Sequence, residues 1–577
     1  MQLAKQLQES LRAIHKKGYP AYKSLRGDYK FRQYILSIDH VQGDPFASPS
    51  HISVRISREN AAFPAFCYES KLTKVTLADY LTRQFERQVG KYTFQAKGSG
   101  KSGLISVSHC GQEVLERTAC EVTEKDIIAR FFVGFPANGR TINAIELEKI
   151  LFEYLPICVE NAFFYEKLNK KQVEQTIFLA EDQAYIREQL KKRDMVAFVA
   201  DGAILPRESG VSKRPMKDAT VFSSPESLRV SMDLPHKGKI TGMGIKSGIT
   251  LIVGGGYHGK STLLTALDTG VYNHIVGDGR EYVITDETAL KLRSEDGRFI
   301  KDVDISLFIN DLPNKKDTKC FSTEDASGST SQAAGIVEGM EAGARVFLLD
   351  EDTSATNFMV RDAFMQEVIL QEKEPITPFL ERARELYEQA GISTILVAGS
   401  SGAFFHIADT IIQMDNYMPV DITERVKRLC EKYPISDIHP SKFAMPVSNR
   451  IMTKAESGKS FRRGNDRGIR GKGDKEERLK VKVHGRDGFS LGKKEIDLRY
   501  IEQLVDSEQT ASLGMLLKYA VEHMVDDRKT IPQIVSYLEK QLKSRGLEFF
   551  SEGSYIPGGY AMPRIQEVYS CFNRYRR

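Results

Sequence analysis

The apolar and polar positions in the first third of the chain follow two different periods. Residues 51–56 (HISVRI) and 103–109 (GLISVSH) alternate with the period of two that is typical of strands. Residues 76–89 (TLADYLTRQFERQV) carry apolar side chains at helical spacing, and the pattern from 140 to 195 is mostly helical. We therefore expect residues 1–160 to form an N-terminal α/β domain.

Short apolar runs alternate with helical segments through the middle of the chain. This alternation predicts a parallel sheet with crossover connections, so we expect residues 161–445 to form a second α/β domain. Residues 227–245 alternate like two edge strands. The apolar runs are AFVADGAILP (197–206), TLIVGGG (250–256), RVFLLD (345–350), STILVAG (393–399) and TIIQM (410–414).

The pattern changes again after residue 445. Residues 451–487 are rich in Gly, Lys and Arg and nearly free of large apolar side chains, which predicts a mobile loop or linker in the first part. Apolar residues then return at helical spacing in 496–506 and 510–525. We expect residues 446–577 to comprise a basic linker and a small C-terminal α/β domain.

Composition limits the classes of protein that this chain can belong to. No run of about 18 apolar residues occurs in the 577-residue sequence, so no membrane insertion is expected. The seven cysteines are scattered without a CxxC pair, which predicts reduced thiols rather than zinc or disulfides. The first residues lack the apolar core of a secretory signal, so we expect a cytoplasmic protein; Glu9 disfavours the alternative of a mitochondrial targeting helix.

One segment carries the clearest chemistry. Residues 254–261 match G-x-x-x-x-G-K-S/T between an apolar strand and an apolar helical run, as a phosphate-binding loop requires. Glycines let backbone N–H groups turn toward phosphate oxygens, and the following helix adds its positive N-terminal end. Lys260 would contact the β- and γ-phosphates of ATP, and Ser261 would hold Mg²⁺. The predicted ATP-binding residues of this loop are Gly254, Gly255, Gly256, Tyr257, His258, Gly259, Lys260, Ser261 and Thr262.

A similar segment at 98–102 (GSGKS) is not expected to bind phosphate. Gln95 stands where the first glycine is required, and a strand-like run follows instead of a helix. We interpret this segment as a hairpin turn.

An apolar strand ending in two carboxylates provides a second nucleotide motif. Asp350 and Glu351 follow the apolar run that begins at Val346. Beside a phosphate loop, Asp350 would hold Mg²⁺ through water and Glu351 would act as the general base on the attacking water. Two solvated acids at the end of a buried strand are the alternative when this motif is taken alone.

The order of the motifs resembles that of ABC ATPases. Residues 326–332 (ASGSTSQ) resemble a degenerate form of the signature L-S-G-G-Q, and 350–357 (DEDTSATN) resemble D-E-P-T-S-A-L-D. Ser327 lies 23 residues before Asp350, which leaves room for the helix that ABC ATPases have between these motifs. A plain helix N-cap is the other interpretation of the signature segment.

Further segments narrow this resemblance to the family known as predicted ATPases of the ABC class. The motifs quoted above and six further segments resemble this family. The six segments lie between residues 42 and 379 and are GDGRE, SEDGR, VDISLFINDLP, KEPITPF, QGDPFASPS and GFPANGR. The resemblance implies an α/β fold with a P-loop ABC-type ATPase core flanked by an N-terminal and a small C-terminal domain. It also implies ATP and Mg²⁺ as ligands, and a homodimer in which Ser327, Gly328 and Ser329 cap the γ-phosphate of ATP bound to the other copy.

The sequence departs from the ABC pattern at two positions. Gly399 or Ser400 occupies the place of the usual switch histidine; Ser400 can hydrogen-bond the γ-phosphate but carries no charge, so slow catalysis is expected. His406 lies six residues too late. No clear glutamine marks the Q-loop, for which Asn310 is a weak substitute.

The basic segment suggests a nucleic-acid partner. Eleven Lys and Arg residues lie between 459 and 486, interspersed with glycine, and could neutralise phosphates of RNA or DNA without reading sequence. A solvated linker fits the composition equally well, and the net charge of +5 is mild. An ATPase acting on a protein complex and the energy subunit of a transporter are the alternative functions. The predicted nucleic-acid contacts are Arg462, Arg463, Arg467, Arg470 and Lys472.

Overall fold

The computed structural model describes residues 1–361, 374–433, 443–453, 479–551 and 553–576. Within these ranges, no helix is long and apolar enough to cross a bilayer.

The N-terminal part is a seven-stranded sheet covered by helices. Its strand Ser50–Ser57 alternates buried and more exposed side chains, as predicted, and pairs antiparallel with Asp126–Val133. Helix Lys71–Val89 begins at a capping box formed by Ser70 and Thr73 and packs on the sheet. The strands are Gln2–Leu3, Gly27–Lys30, Ile35–His40, Ser50–Ser57, Ile105–Ser106, Cys120–Val122 and Asp126–Val133. The helices of this part are Ala4–Ile14, Arg58–Ala61, Lys71–Val89, Ala144–Lys149, Leu155–Phe163 and Lys170–Lys192.

Two details of this part differ from the prediction. The run at 103–109 contributes only the two-residue strand Ile105–Ser106. The segment 98–102 joins a helical region to that strand, so it is a loop and not a hairpin turn; the Lys101 backbone N–H donates to the carbonyl of Pro45 at 2.8 Å. The segment is also held by the Ser99 N–H, which donates to the Ala137 carbonyl at 2.7 Å, and by the Ser102 N–H, which donates to the Ser99 carbonyl at 3.2 Å.

A small antiparallel sheet connects this part to the central one. Strand Gly238–Lys246 pairs with Arg229–Leu234 on one side and Met195–Ala200 on the other, so only the first of the two predicted edge strands lies at an edge. Val283–Thr285 completes the sheet beyond Met195–Ala200. Three short antiparallel pairs lie elsewhere: Ala137–Asn138 with Thr141–Ile142, Glu113–Val114 with Asn273–His274, and Arg298–Val303 with Phe321–Ala326.

The central sheet has six strands, and the first five are parallel. This agrees with the predicted parallel sheet with crossover helices, and it brings the carboxyl ends of these strands to one edge of the sheet. In spatial order the strands are Leu290–Leu292, Val346–Asp350, Ser393–Val397, Ile249–Val253, Thr410–Asp415 and the antiparallel Met418–Asp421. The helices are Lys260–Thr269, Gly328–Glu341, Thr356–Met359, Phe379–Ala390 and Thr423–Cys430.

The C-terminal part combines a three-stranded sheet with three helices. Residues 510–525 lie mostly in helix Ser507–His523, as predicted, but residues 496–506 are not helical: Ile496 and Asp497 end a strand and the following residues form turns. Gln503 explains this, since its side chain donates to the backbone carbonyls of Asp268 and Ala289. The strands are Val481–Val483, Gly488–Leu491 and Lys494–Asp497, and the helices are Ser507–His523, Ile531–Arg545 and Ile565–Asn573.

Candidate functional site

The loop at 254–261 connects the central strand Ile249–Val253 to helix Lys260–Thr269. Gly254 and Gly259 have φ angles of +139° and +98°, a region that L side chains avoid. A Cβ on Gly254 would lie 2.4 Å from the backbone oxygen of Met414, whereas a Cβ on Gly256 would meet no heavy atom within 4 Å. Two of the predicted glycines are therefore required by the backbone itself.

The Lys260 side chain folds back over this loop. Its Nζ donates to the backbone oxygens of Gly254 at 2.7 Å and Gly255 at 3.0 Å. Among the described residues no carboxylate oxygen lies within ion-pair distance of this ammonium group. Ser261 is exposed and Thr262 half-buried in the first turn of the helix. The loop thus gathers a positive charge, a hydroxyl and a helix N-terminus in one place.

The loop is held in place by a hairpin turn that the sequence analysis did not single out. The turn follows strand Thr410–Asp415, and its residues Asn416 and Tyr417 have φ angles of +48° and +67°. The Asn416 N–H donates to Nδ1 of His258 at 3.0 Å, and the Tyr417 N–H donates to the His258 carbonyl at 3.0 Å. Asp415 pairs with Met418, so Asn416 and Tyr417 are the two turn residues, and Asn416 is the one that is typical of such a turn.

Asp350 and Glu351 lie at the same edge of the sheet as the loop. Strand Val346–Asp350 is separated from Ile249–Val253 by one strand, which corresponds to a separation of about 10 Å. Asp350 is buried, and burial raises the pKa of its carboxyl group above its usual value, although the N–H of Asp352, which donates at 3.1 Å, opposes this shift. The strand order thus brings both carboxylates toward the loop.

Glu351 is fixed by the loop that follows the intervening strand Ser393–Val397. Its carboxylate accepts the backbone N–H groups of Gly399 at 2.6 Å and Ser400 at 3.0 Å, and also the Ser400 hydroxyl. Burial raises the pKa of Glu351, but these hydrogen bonds outweigh burial and hold the pKa below its usual value. Glu351 is therefore ionised and oriented.

The signature segment begins a helix, as the N-cap interpretation requires. Ser327 is the N-cap of helix Gly328–Glu341, and its Oγ accepts the N–H of Thr330. The hydroxyl of Ser329 donates to the Asn357 side chain at 2.8 Å. The side-chain partners of Ser327 and Ser329 in the described structure are thus near the signature itself, and they do not belong to the phosphate loop.

A buried glutamine joins the signature helix to the segment after the carboxylates. Oε1 of Gln332 accepts the N–H of Ala355 at 2.9 Å, and its Nε2 donates to Oγ of Ser354 at 2.9 Å. Oγ of Ser354 in turn donates to the backbone oxygen of Asp350 at 2.8 Å. The signature and the segment 352–357 therefore form one connected surface at the edge of the sheet.

The two remaining site predictions concern the Q-loop substitute and the nucleic-acid contacts. The side chain of Asn310 donates to the carbonyl of Ser306 at 2.7 Å, so it is engaged within its own turn. The predicted nucleic-acid contacts Arg462, Arg463, Arg467, Arg470 and Lys472 lie outside the described residues.

Three family models match consecutive parts of the chain. A model described as the N-terminal domain of ATPases of the ABC class matches residues 4–166, and the P-loop domain of ABC ATPases matches 169–450. A model described as the MRB1590 C-terminal domain matches 480–577. An uncharacterized protein of Methanocaldococcus jannaschii, MJ1628, is 32% identical over 229 residues, which are 38% of this chain; the chain spans 50% of the length of that relative.

Solved structures of ATP-binding cassettes match less of the chain than the three family models do together. The ADP conformation of MJ1267, an ATP-binding cassette of an ABC transporter, matches with 11% identity and a TM-score of 0.25, covering 41% of this chain and 95% of that one. CbiO1 from Clostridium perfringens, part of the ABC transporter complex cbiONQ, matches with 14% identity and a TM-score of 0.26, covering 41% and 94%.

Proposed function

Because this chain belongs to the family of ATPases of the ABC class, we propose that it binds and hydrolyses ATP with Mg²⁺ between two copies of itself. The observation that carries this proposal is the turn of Gly254 and Gly259, both with positive φ, around the Lys260 ammonium group. Backbone N–H groups in such a turn and the start of a helix favour a polyphosphate. Lys260 would exchange its two carbonyl partners for the β- and γ-phosphate oxygens.

The donors near the loop fit Mg²⁺. The cation prefers oxygen ligands and usually takes few of them from the protein. Ser261 is exposed at the start of the helix, and Asp350 lies two strands away at the same edge of the sheet. We assign Ser261 as a direct ligand and Asp350 as a ligand through water. When bound, Mg²⁺ would neutralise charge that develops on the phosphate oxygens.

Glu351 is the proposed general base. Its lowered pKa keeps it ionised, and the N–H groups of Gly399 and Ser400 fix its direction. Glu351 would accept a proton from water while the water oxygen bonds to the γ-phosphorus and the bond to the bridging oxygen breaks, giving ADP and phosphate. Ser400 is a positioning residue in this scheme, since its hydroxyl donates to the base itself.

The dimer is proposed from the position of the signature. Ser327, Gly328 and Ser329 begin helix Gly328–Glu341, in which the N–H groups of Thr330 and Ser331 already donate to Ser327. The N–H groups of Gly328 and Ser329 would meet the γ-phosphate of ATP on a second copy. Gln332 connects this surface to Ala355, so the signature and the segment after the carboxylates would meet the other copy together.

The dimer and the base are tested with Glu351→Gln. We expect this variant to bind Mg-ATP, to lose at least about a hundredfold in hydrolysis, and to sediment as a dimer only with ATP. Lys260→Ala is the control for the loop and is expected to lose nucleotide affinity. Normal hydrolysis by Glu351→Gln would contradict the assigned base, and unchanged nucleotide affinity of Lys260→Ala would contradict the binding site itself.

We also propose that the ATPase cycle is coupled to nucleic acid, with RNA as the expected partner. The support is compositional: eleven cationic side chains among glycines between 459 and 486. Filter binding of homopolymer RNA and DNA should fall steeply with salt and with deletion of 459–478, which keeps strand Val481–Val483 of the C-terminal sheet. If the chain instead co-purifies with a defined protein partner regardless of salt, the alternative function of an ATPase acting on a protein complex would be favoured.

A further inference from the structure

Three sequence segments that have no role in the proposed ATPase site meet on one face of the N-terminal part. They form what is called the N-terminal surface below and are residues 42–50, 98–102 and 134–140. The Lys101 N–H donates to the Pro45 carbonyl at 2.8 Å, and the Ser99 N–H donates to the Ala137 carbonyl at 2.7 Å. The middle segment is therefore bonded to both of the others.

Two glycines of the middle segment allow this close contact. A Cβ on Gly98 would lie 2.7 Å from the Ala137 carbonyl oxygen, and a Cβ on Gly100 would lie 2.5 Å from the Pro45 carbonyl oxygen. Side chains at these two positions would push the segments apart. Backbone contacts thus fix the shape of the N-terminal surface.

Two phenylalanine rings project beside these glycines. Phe46 is 65% exposed and Phe94 is 52% exposed. Both adjoin the middle segment: a Cβ on Gly100 would lie 3.0 Å from Cδ1 of Phe46, and the Phe94 N–H donates to the Gly103 carbonyl at 2.7 Å. Because burial of such rings is favourable, two exposed rings on one fixed loop indicate a surface that a partner covers.

The surroundings of the two rings are cationic. The cationic residues are Lys16, Lys17, Lys97, Lys101 and Arg140. Asp44 neutralises Arg140 through a bond of 2.8 Å. Glu146 accepts the Lys97 N–H, and its carboxylate pairs with Lys149. For the four lysines of the N-terminal surface, no carboxylate of the described residues lies within ion-pair distance. The surface therefore carries positive charge that a polyanion can neutralise.

Lys16 and Lys17 join this surface through the hairpin at its edge. The Lys16 N–H donates to the Ile142 carbonyl at 3.1 Å, and the Ile142 N–H donates to the Lys17 carbonyl at 2.9 Å. Ile142 lies two residues after Arg140 and ends the hairpin. Since both lysines are exposed, they extend the cationic area at this end.

We infer that the N-terminal surface binds single-stranded RNA, with Phe46 and Phe94 stacking on bases and the lysines contacting phosphates. This rests on the proposed coupling to RNA and adds a second contact region to the basic segment 459–486. That segment supplies charge, but Phe489, just after it, is fully buried and cannot stack on a base. Because bases are unstacked only in single strands, the surface favours single strands over duplexes.

Fluorescence anisotropy of the full chain with a single-stranded oligouridine tests this inference. Phe46→Ala and Phe94→Ala should each weaken binding roughly five- to hundredfold, as expected for one lost stacking contact. The salt dependence of the affinity should stay the same in both variants, because no charge is removed. Lys101→Gln should instead lower the slope of log Kd against log salt by about 0.7, the value for one phosphate contact with a single strand.

Three further variants separate stacking from general apolar contact. Phe46→Leu keeps an apolar side chain without an aromatic face, so it should weaken binding as Phe46→Ala does, whereas Phe46→Tyr should bind like the wild type. Tyr433→Ala removes a 73% exposed ring from the central part and should leave the affinity unchanged. An unchanged urea midpoint shows that each variant is folded.

The outcomes distinguish this inference from the proposal beneath it. If Phe46→Ala and Phe94→Ala keep the wild-type affinity, or if Phe46→Leu binds like the wild type, the stacking surface is overturned while the coupling to RNA stands. Equal losses with an RNA duplex would also overturn it, because a duplex offers no free base. A wild type that binds no oligouridine even at low salt would overturn the coupling itself.

Discussion

At the scale of single residues, the side chain of Ser400 contacts the carboxylate of Glu351. In the sequence, Gly399 or Ser400 takes the position of the switch histidine, where Ser400 could hydrogen-bond the γ-phosphate. In the structure its hydroxyl donates to the Glu351 carboxylate, and its N–H does the same. Ser400, which carries no charge, therefore orients the carboxylate that we propose as the base.

Ser400→Ala tests this role through the pH dependence of hydrolysis. The hydroxyl is one cause of the lowered pKa of Glu351, so its loss should raise that pKa, and the acidic limb of the rate profile should move to higher pH. The rate at neutral pH should fall about tenfold, which corresponds to one hydrogen bond of about 1.4 kcal/mol.

Ser401→Ala is the matched control, because the Ser401 hydroxyl accepts the Ala403 N–H and does not contact Glu351. An unmoved acidic limb in Ser400→Ala, or an equal shift in both variants, would argue against the positioning role.

At the scale of elements, the phosphate loop depends on its neighbours as much as on its own glycines. Gly254 has no room for a side chain because the strand Thr410–Asp415 lies against it, and Gly259 has none because of Tyr417. The loop and the hairpin therefore form one unit, although they are far apart in the sequence.

Gly254→Ala and Gly256→Ala form a matched pair for this unit. The first places a Cβ 2.4 Å from a strand carbonyl at a φ of +139°, so we expect a loss of roughly 1–3 kcal/mol in the free energy of unfolding. The second meets no atom within 4 Å, and its unfolding free energy should stay within about 0.5 kcal/mol. Urea unfolding measures the free energy of unfolding of both variants. Equal destabilisation would contradict the role of crowding at Gly254.

At the scale of the whole molecule, the C-terminal part is joined to the other two. Gln503 and Tyr272 connect it to the end of the phosphate-loop helix: the Tyr272 hydroxyl donates to the Gln503 carbonyl at 2.9 Å. Arg117 of the N-terminal part is buried and pairs with Asp506 and Glu508, both at 2.7 Å. These contacts join the C-terminal part both to the residues around helix Lys260–Thr269 and to the N-terminal part.

Arg117→Ala should destabilise the folded chain strongly. The substitution leaves two carboxylates poorly solvated without their partner, a loss of about 3–5 kcal/mol for buried pairs. The urea midpoint of unfolding measures it. Lys191→Ala removes an exposed pair with Glu287 and should leave the midpoint unchanged. Similar midpoints for the two variants would contradict the importance of the buried pair.

The wrong predictions share a cause. Residues 496–506 carry apolar side chains at helical spacing, yet Gln503 and its neighbours serve contacts to Asp268 and Ala289. The segment 98–102 was expected to be a hairpin turn, but it docks on Pro45 instead. In both cases the segment makes contacts with distant residues, about which the local pattern carries no information.

The sequence alone determined the phosphate loop, the strand ending in Asp350 and Glu351, and the parallel sheet that carries them. The glycine pattern, the helix start and the apolar strand are encoded in contiguous residues, and the alternation of strands with helices along the chain indicates the parallel sheet. Only the tertiary structure decided that Ser400 contacts Glu351 and that Tyr417 covers Gly259. Those neighbours follow from the order of the strands in the sheet, and buried parallel strands have such similar apolar sequences that none specifies which strand will lie beside it.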